Sequence, residues 1–385
     1  MPRSRESESP LIGTWLDGRF WIEGHLATGG FGAVYRARTP SGLPIALKLL
    51  HRQLVTDPAA VARFQREGTI LTQLHDPHTV TTLAVGETGD GTPYIAMELL
   101  AGESLHARLA RDRTLPWRTS AAIARAVCCS LAEAHALGVV HRDLKPANIQ
   151  IGDQGGAAWV KVIDFGIGKV TRGSAIDDGQ ELTHLGHLIG TMDYMSPEQL
   201  IDGTCSAASD LYALGVVLYE MLTGRRPFAE AATLAAMLTA LVTESPRAPS
   251  ELVALPPALD RVVLRCLERE PLLRFTSAHE LAAALDGVLA ASDPVVAAPV
   301  RAAPVPTTFP TLRGVAVAHG QPGGERHEAS VGSAADIAPT QPLSTPVRAR
   351  PRRRSRHVQL RLPLVLLCAT AVLLAGIAGY LFARI

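Results

Sequence analysis

Short apolar runs broken by turn residues open the chain. Residues 20–26, 32–37 and 43–50 read as strands, with Gly29-Gly30 and Pro40-Ser41-Gly42 as the turns between them. The pattern then changes period. Val61, Phe64, Ile70, Leu71 and Leu74 recur at spacings of three and four, which predicts a helix over 59–74. Two further strands are predicted at 79–88 and 92–99, around Gly89-Asp90-Gly91. From residue 104 onward helical spacing dominates, at 104–110, 118–137, 209–222, 232–242, 257–267 and 277–290. A strand-rich part followed by a helical part is an α+β, two-lobed plan, and the cleft between lobes is a natural ligand site.

The periodic pattern stops near residue 290. Residues 290–347 are rich in Ala, Pro, Val, Thr and Gly, with nine prolines from Pro294 to Pro346, and read as a flexible, disordered Pro/Ala-rich linker. Residues 348–361 carry seven Arg. After them comes an uncharged apolar run, 362–383, of 22 residues. At ~1.5 Å per residue it is ~33 Å long, enough to cross a hydrocarbon core of ~30 Å. It is expected to be a single transmembrane helix, with the lipid bilayer as a partner. The positive-inside rule puts the Arg-rich flank, and everything before it, in the cytoplasm. Tyr380 and Phe382 suit an interfacial aromatic belt, and Arg384 and Ile385 alone follow, so no extracytoplasmic sensor is expected. Residues 1–19 form a polar N-terminal extension without the apolar stretch of a signal peptide.

Composition narrows the classes. The 385-residue chain is 47% apolar and 19% charged, which excludes disorder throughout. Its net charge is +1, but eight Arg and no acid lie from Arg348 to the end, leaving −7 on residues 1–347. A mildly acidic main part argues against a nucleic-acid partner. The five cysteines show no CxxC spacing, which disfavours a zinc site or a disulfide scaffold.

Candidate chemistry sits at the turns. Leu26-Ala27-Thr28-Gly29-Gly30-Phe31-Gly32 is a glycine-rich segment that can bring backbone N–H groups to a phosphate, or simply close a hairpin. Lys48 lies inside the apolar strand 43–50 and needs a counter-charge or an anion, which Glu67 on the next helix could supply. Most specific is His141-Arg142-Asp143-Leu144-Lys145-Pro146-Ala147-Asn148, followed by Asp164-Phe165-Gly166. Two carboxylates and an amide oxygen are hard ligands for Mg²⁺, and one carboxylate can act as a base.

These motifs, in this order, resemble the bacterial eukaryote-like (Hanks-type) serine/threonine protein kinases. The resemblance covers residues 20–289 and implies a small β-rich lobe over 20–100 and a larger helical lobe over 101–289. It also implies ATP and Mg²⁺ as cofactors, with Mn²⁺ as an alternative ion, protein Ser/Thr side chains as substrates, and room for a homodimer. Carried over residue by residue, it puts the Gly29, Gly30 and Gly32 backbone over the phosphates and Lys48 on the α/β-phosphates, paired with Glu67. Asp143 is implied as base, Lys145 as the cation at the γ-phosphate, and Asn148 and Asp164 as metal ligands. Leu26, Val34 and Ala46 are implied as adenine walls, Met97 as gatekeeper, and Glu98 and Leu100 as backbone partners of adenine. Thr191 is implied at the substrate site, Glu198 paired with Arg274, and Asp210 as a brace for the catalytic loop. Ala27 departs from the family's first loop glycine, which implies a stiffer loop.

The resemblance extends to regulation. A phosphate on the segment 167–189 could pair with Arg142 and order that segment. Thr171, Ser174 and Thr183 are candidate acceptors, and Thr183 is favoured. Two other functions stay open on the residues: a catalytically dead scaffold, and a small-molecule phosphotransferase. Intact Lys48, Asp143, Asn148 and Asp164 speak against the first. The segment from Gly190-Thr191 to Ser196-Pro197-Glu198, with Asp210 and Arg274, speaks against the second.

Overall fold

Alternation of buried and exposed positions builds the first lobe. The computed structural model describes residues 10–154, 157–165, 192–231 and 233–291. Strands β1 (Trp15–Leu16), β2 (Phe20–Thr28), β3 (Gly32–Arg38), β4 (Pro44–Leu50), β5 (Thr82–Glu87) and β6 (Pro93–Glu98) form one antiparallel sheet, in the order β1-β2-β3-β4-β6-β5. Ile45, Leu47 and Leu49 point to one face, where they close a small core with Phe20, Ile22 and Tyr94. The Phe20 and Tyr94 rings meet edge to face at 5.1 Å.

Period-two geometry sends the intervening residues to the other face. Register pairs Val34 with Lys48, Lys48 with Ile95, and Ala46 with Met97, so these side chains share that face. Helix α1 (Pro58–Leu71) covers part of it. Asp57 caps α1 by accepting the Ala59 N–H at 2.8 Å, and Pro58 takes the first position, where its missing N–H costs nothing. Phe64 and Leu71 turn inward with Glu67 between them.

The second lobe is helical with one sequence-silent exception. Helices α2 (Leu105–Asp112), α3 (Trp117–Ala136), α4 (Pro197–Ile201), α5 (Ala207–Thr223), α6 (Leu234–Thr243), α7 (Pro257–Cys266) and α8 (Ala278–Ala291) surround a core centred on α5. Helix α5 is apolar nearly all round, which fits a buried position. Gly224, at φ 72°, ends it in the left-handed conformation. The exception is a three-stranded sheet of β7 (Glu103–Ser104), β8 (Ile149–Gln154) and β9 (Ala157–Val162). The β8–β9 hairpin lies between Asn148, just before β8, and Asp164, just after β9. Among the described residues no helix is long and apolar enough to cross a membrane; 362–383 lies outside them.

Candidate active site

Lys48 is where the two lobes meet. Its Nζ stands 2.7 Å from Glu67 Oε1 on α1 and 3.1 Å from Asp164 Oδ1, just beyond β9. Burial works to lower the Lys48 pKa, but the charges of Asp164 and Glu67 outweigh it and hold the ammonium above its ordinary value. Burial likewise opposes ionisation of Asp164, and Lys48, His141 and Lys145 overcome it, leaving that carboxyl below the usual range. Glu67 goes the other way: burial raises it, with Lys48 offsetting only part.

Asp143 lies in the loop between α3 and β8. Lys145 Nζ is 3.1 Å from Asp143 Oδ2. Asn148 donates its amide to the Asp143 carbonyl at 2.8 Å and to Oδ2 at 3.3 Å. That fixes the amide orientation and presents Asn148 Oδ1 as the acceptor end. The loop itself hangs on Asp210, near the start of α5. One Asp210 oxygen accepts the His141 N–H at 2.8 Å and also faces His135 Nε2 at 2.8 Å; the other accepts the Arg142 N–H at 2.9 Å. Arg142 and Asp164 both adopt positive φ, 68° and 51°, a conformation non-glycine residues hold only where surroundings impose it.

The glycine-rich turn shows a division of labour. A Cβ on Gly32 would stand 2.2 Å from the Leu49 carbonyl oxygen, so β3 can approach β4 only with glycine there. Cβ atoms on Gly29 and Gly30 would meet nothing closer than 3.8 Å. Ala27 and Thr28 pair with Val34 and Ala33 across the hairpin. The turn is tied down by His51, whose backbone N–H donates to the Phe31 carbonyl and whose Nε2 lies 2.8 Å from the Gly29 carbonyl. Arg63 covers the Phe31 ring, its Cζ 5.6 Å from the centroid.

Along the shared face, Val34 and Ala46 are half-buried and Met97 is buried, while Leu26 is exposed at the end of β2. Leu100 packs on the main core from the link that follows β6. Glu98 is committed elsewhere than its backbone alone suggests. Its N–H donates to the Thr81 carbonyl, and its carboxylate receives the Thr81 N–H at 2.7 Å and Lys161 Nζ at 2.5 Å. Its N–H is therefore not free for adenine. Lys161 has no exposed side chain and also donates to the Thr79 carbonyl at 3.0 Å.

Glu198 and Arg274 form a two-point pair at 2.8 Å on each oxygen. Thr183, Thr191 and Gly166 lie outside the described residues. Sequence reasoning missed Lys161 and His51, and it named His141 and Phe165 only as motif members, without the contact of their rings at 4.7 Å. Burial depresses the His141 pKa against the pull of Asp210 and Asp143, which favours a neutral imidazole. A lysine flanked by apolar residues in Val160-Lys161-Val162 was the one signal for the Glu98 pair.

A β-rich lobe lends a lysine and a glutamate, a helical lobe lends three loop residues, and a buried aspartate braces the loop; this is the construction of a protein kinase domain. The protein kinase domain family matches residues 20–284, and the chain belongs to that family. It is 39% identical over 282 residues to the serine/threonine-protein kinase pkn3 of Myxococcus xanthus, covering 72% of this chain and 51% of that one. It is 33% identical to the serine/threonine-protein kinase PknL of Mycobacterium tuberculosis (73% and 68% of the two chains), and 35% identical to PknA of the same species (74% and 65%). The chain thus spans about half the length of the Myxococcus relative. Among solved structures, the Mycobacterium tuberculosis PknI kinase domain superposes with a TM-score of 0.53 at 27% identity, over 71% of this chain and 98% of that one.

Proposed function

We propose that this chain is an active protein serine/threonine kinase that uses ATP and Mg²⁺ and is anchored to the cytoplasmic face of a membrane by residues 362–383. The observation that carries the reading is the Lys48–Glu67–Asp164 bridge between lobes, set beside Asp143 and Lys145. These five side chains sum to −1, so a triphosphate enters only with added positive charge. Asn148 Oδ1 and the ionised Asp164 carboxylate are hard oxygen donors suited to Mg²⁺ or Mn²⁺. Bound there, the metal would neutralise charge on the phosphate oxygens.

The chain's own residues do the remaining work. Lys48, held charged by two acids, binds the α/β-phosphates. Asp143, with its Oδ2 fixed by Lys145 and Asn148, orients the substrate hydroxyl and takes its proton. Lys145 then faces the γ-phosphate as charge spreads over its oxygens. Val34, Ala46, Met97 and Leu26 supply apolar walls for the adenine, and the link from Glu98 to Leu100 its polar edge.

Three relatives named as serine/threonine kinases, together with Lys145 and the Gly190-Thr191 pair, support Ser/Thr as acceptor. Autophosphorylation of Thr183, read out by Arg142, is the regulation we favour. The uncharged 22-residue run behind seven Arg supports the anchor and its orientation. A homodimer is compatible with this reading; sedimentation of the full chain tests it.

The deciding experiment incubates the full chain in detergent micelles with labelled ATP and Mg²⁺ beside Asp143→Ala. Label on Ser/Thr of the wild type alone supports the kinase; equal label on both proteins refutes it. Thr183→Ala with undiminished activity and loop phosphate overturns the phosphosite.

A further inference from the structure

His51 follows β4 directly, three residues beyond Lys48. Its backbone is fixed from both sides. The N–H donates to the Phe31 carbonyl at 2.9 Å, and the carbonyl accepts the Leu54 N–H at 2.8 Å from the short helical turn Arg52–Leu54. Leu54 in turn packs on the main core. The imidazole is therefore carried by an anchored stretch of chain. Its Nε2 lies 2.8 Å from the Gly29 carbonyl oxygen. A carbonyl only accepts, so Nε2 bears the proton in this contact. The Gly29 N–H donates to the Gly32 carbonyl at 2.8 Å and closes the turn from within.

The side from which His51 approaches decides what the contact does. Side chains of an extended strand alternate between faces. Lys48 reaches Glu67 and Asp164, and Leu50 joins the main core, whereas Leu49 between them joins the small core of the sheet with Phe20 and Tyr94. His51 keeps the extended backbone, at φ −60° and ψ 135°, so its ring falls on the Leu49 side. It thus meets Gly29 from the face opposite Lys48. In a planar trans peptide the carbonyl and the N–H that follows it point in opposite directions. With the Gly29 carbonyl held on the Leu49 side, the Gly30 N–H is turned to the Lys48 side. Among the described residues that N–H donates to no group. A Cβ on Gly30 would meet nothing within 4 Å, so the space around it is open.

A peptide between two glycines rotates against little steric resistance. Left without a partner for its carbonyl, the Gly29–Gly30 peptide would sample both orientations, and a ligand would bear the cost of ordering it. We propose that His51 is a positioning residue for the nucleotide phosphates, a role that rests on the nucleotide reading above. Its Nε2–H locks the Gly29–Gly30 peptide so that the Gly30 N–H is preset toward the phosphate that Lys48 binds. His51 itself touches no phosphate and acts through that one peptide. Phe31, under Arg63, holds the tip of the turn separately from α1.

The test titrates the full chain in detergent micelles calorimetrically, with ATP plus Mg²⁺ and separately with adenosine. His51→Ala is expected to weaken ATP binding about fivefold, the worth of one hydrogen bond, and to leave adenosine within about twofold, because adenosine has no phosphate to meet the turn. His51→Gln, whose amide nitrogen can stand where Nε2 stood, should bind ATP within about twofold of wild type. Arg52→Ala, at the exposed neighbour that pairs with Asp90, controls for disturbance of the segment and should leave both ligands unchanged. Equal weakening of ATP and adenosine in His51→Ala is the mark of a loosened lobe and overturns the proposal, as does a Gln variant no better than the Ala variant. Wild-type protein that binds no ATP refutes the kinase reading itself. Wild-type protein that binds ATP, beside a His51→Ala variant that binds it equally well, refutes this proposal alone.

Discussion

Arg274 gives the most quantitative handle on the helical lobe. Its side chain has no exposed surface, yet all five of its N–H groups are used. Nε donates to the Glu268 carbonyl at 2.7 Å. Nη1 donates to Glu198 Oε1 at 2.8 Å and the Ala208 carbonyl at 2.9 Å; Nη2 donates to Glu198 Oε2 at 2.8 Å and the Arg269 carbonyl at 2.9 Å. Arg274→Met keeps most of the volume and removes every donor. Glu198 is then left with the Ser209 hydroxyl at 2.7 Å, and three carbonyls lose their partner. Removing one partner of a buried pair costs ~3–5 kcal/mol. Glu198 keeps 14% side-chain exposure, so water can reach it and the lower figure applies. About 3 kcal/mol corresponds to a fall of roughly 6–12 °C in Tm for a domain of this size. Arg274→Met with Glu198→Leu removes the stranded carboxylate and should recover ~1–2 kcal/mol of the loss. Thermal melts followed by circular dichroism on the full chain measure both. A single variant within 2 °C of wild type, or a double variant no better than the single, would refute the reasoning.

Gly32→Ala forces a methyl against the Leu49 carbonyl and should lower Tm by several degrees, whereas Gly30→Ala meets open space and should not; equal melts would show that β3 and β4 tolerate the contact. Lys161→Met strands the Glu98 carboxylate behind β6 and should cost ~3 kcal/mol, partly regained with Glu98→Leu; urea midpoints decide it. Burial works to raise the Glu198 pKa, but hydrogen bonds from Arg274 and Ser209 hold it below its ordinary 4.5. Its contribution to stability is therefore full above pH 4.5 and lost as pH falls through the lower, folded value. Glu198→Gln should flatten that acid limb, and an unchanged limb counts against the pair.

Periodicity placed most elements because one buried face was enough to set it. The strand at 92–99 is Pro93–Glu98, and the helix at 118–137 is Trp117–Ala136. The β8–β9 hairpin escaped because it is short, glycine-rich, and sits where helical spacing surrounds it; backbone pairing, not side-chain alternation, defines it. The 59–74 helix ends three residues early, at Leu71, where Gly68 and Ile70 carbonyls accept the closing N–H of Thr72. In the site, the strand position of Lys48 announced its need for an anion, and Glu67 does stand 2.7 Å away. Asp164 as a second partner was not visible, because it joins Lys48 only through the folding of one lobe on the other. Nor was the inward turn of Glu98, since a hinge residue and a buried acid look alike in a string of letters.

Asp210 ties together three stretches that sequence separates widely: the end of α3, the His141–Arg142 backbone and the core helix α5. The pose of the loop that carries Asp143 is thus inherited from a helix buried on nearly every side. Repacking around Leu211, Leu214 or Val217 would tilt this anchor and be felt as altered turnover, though none of those side chains comes near a phosphate. Slow drift in the interior is therefore a route by which kinases of this build can retune their rate while every motif residue stays in place.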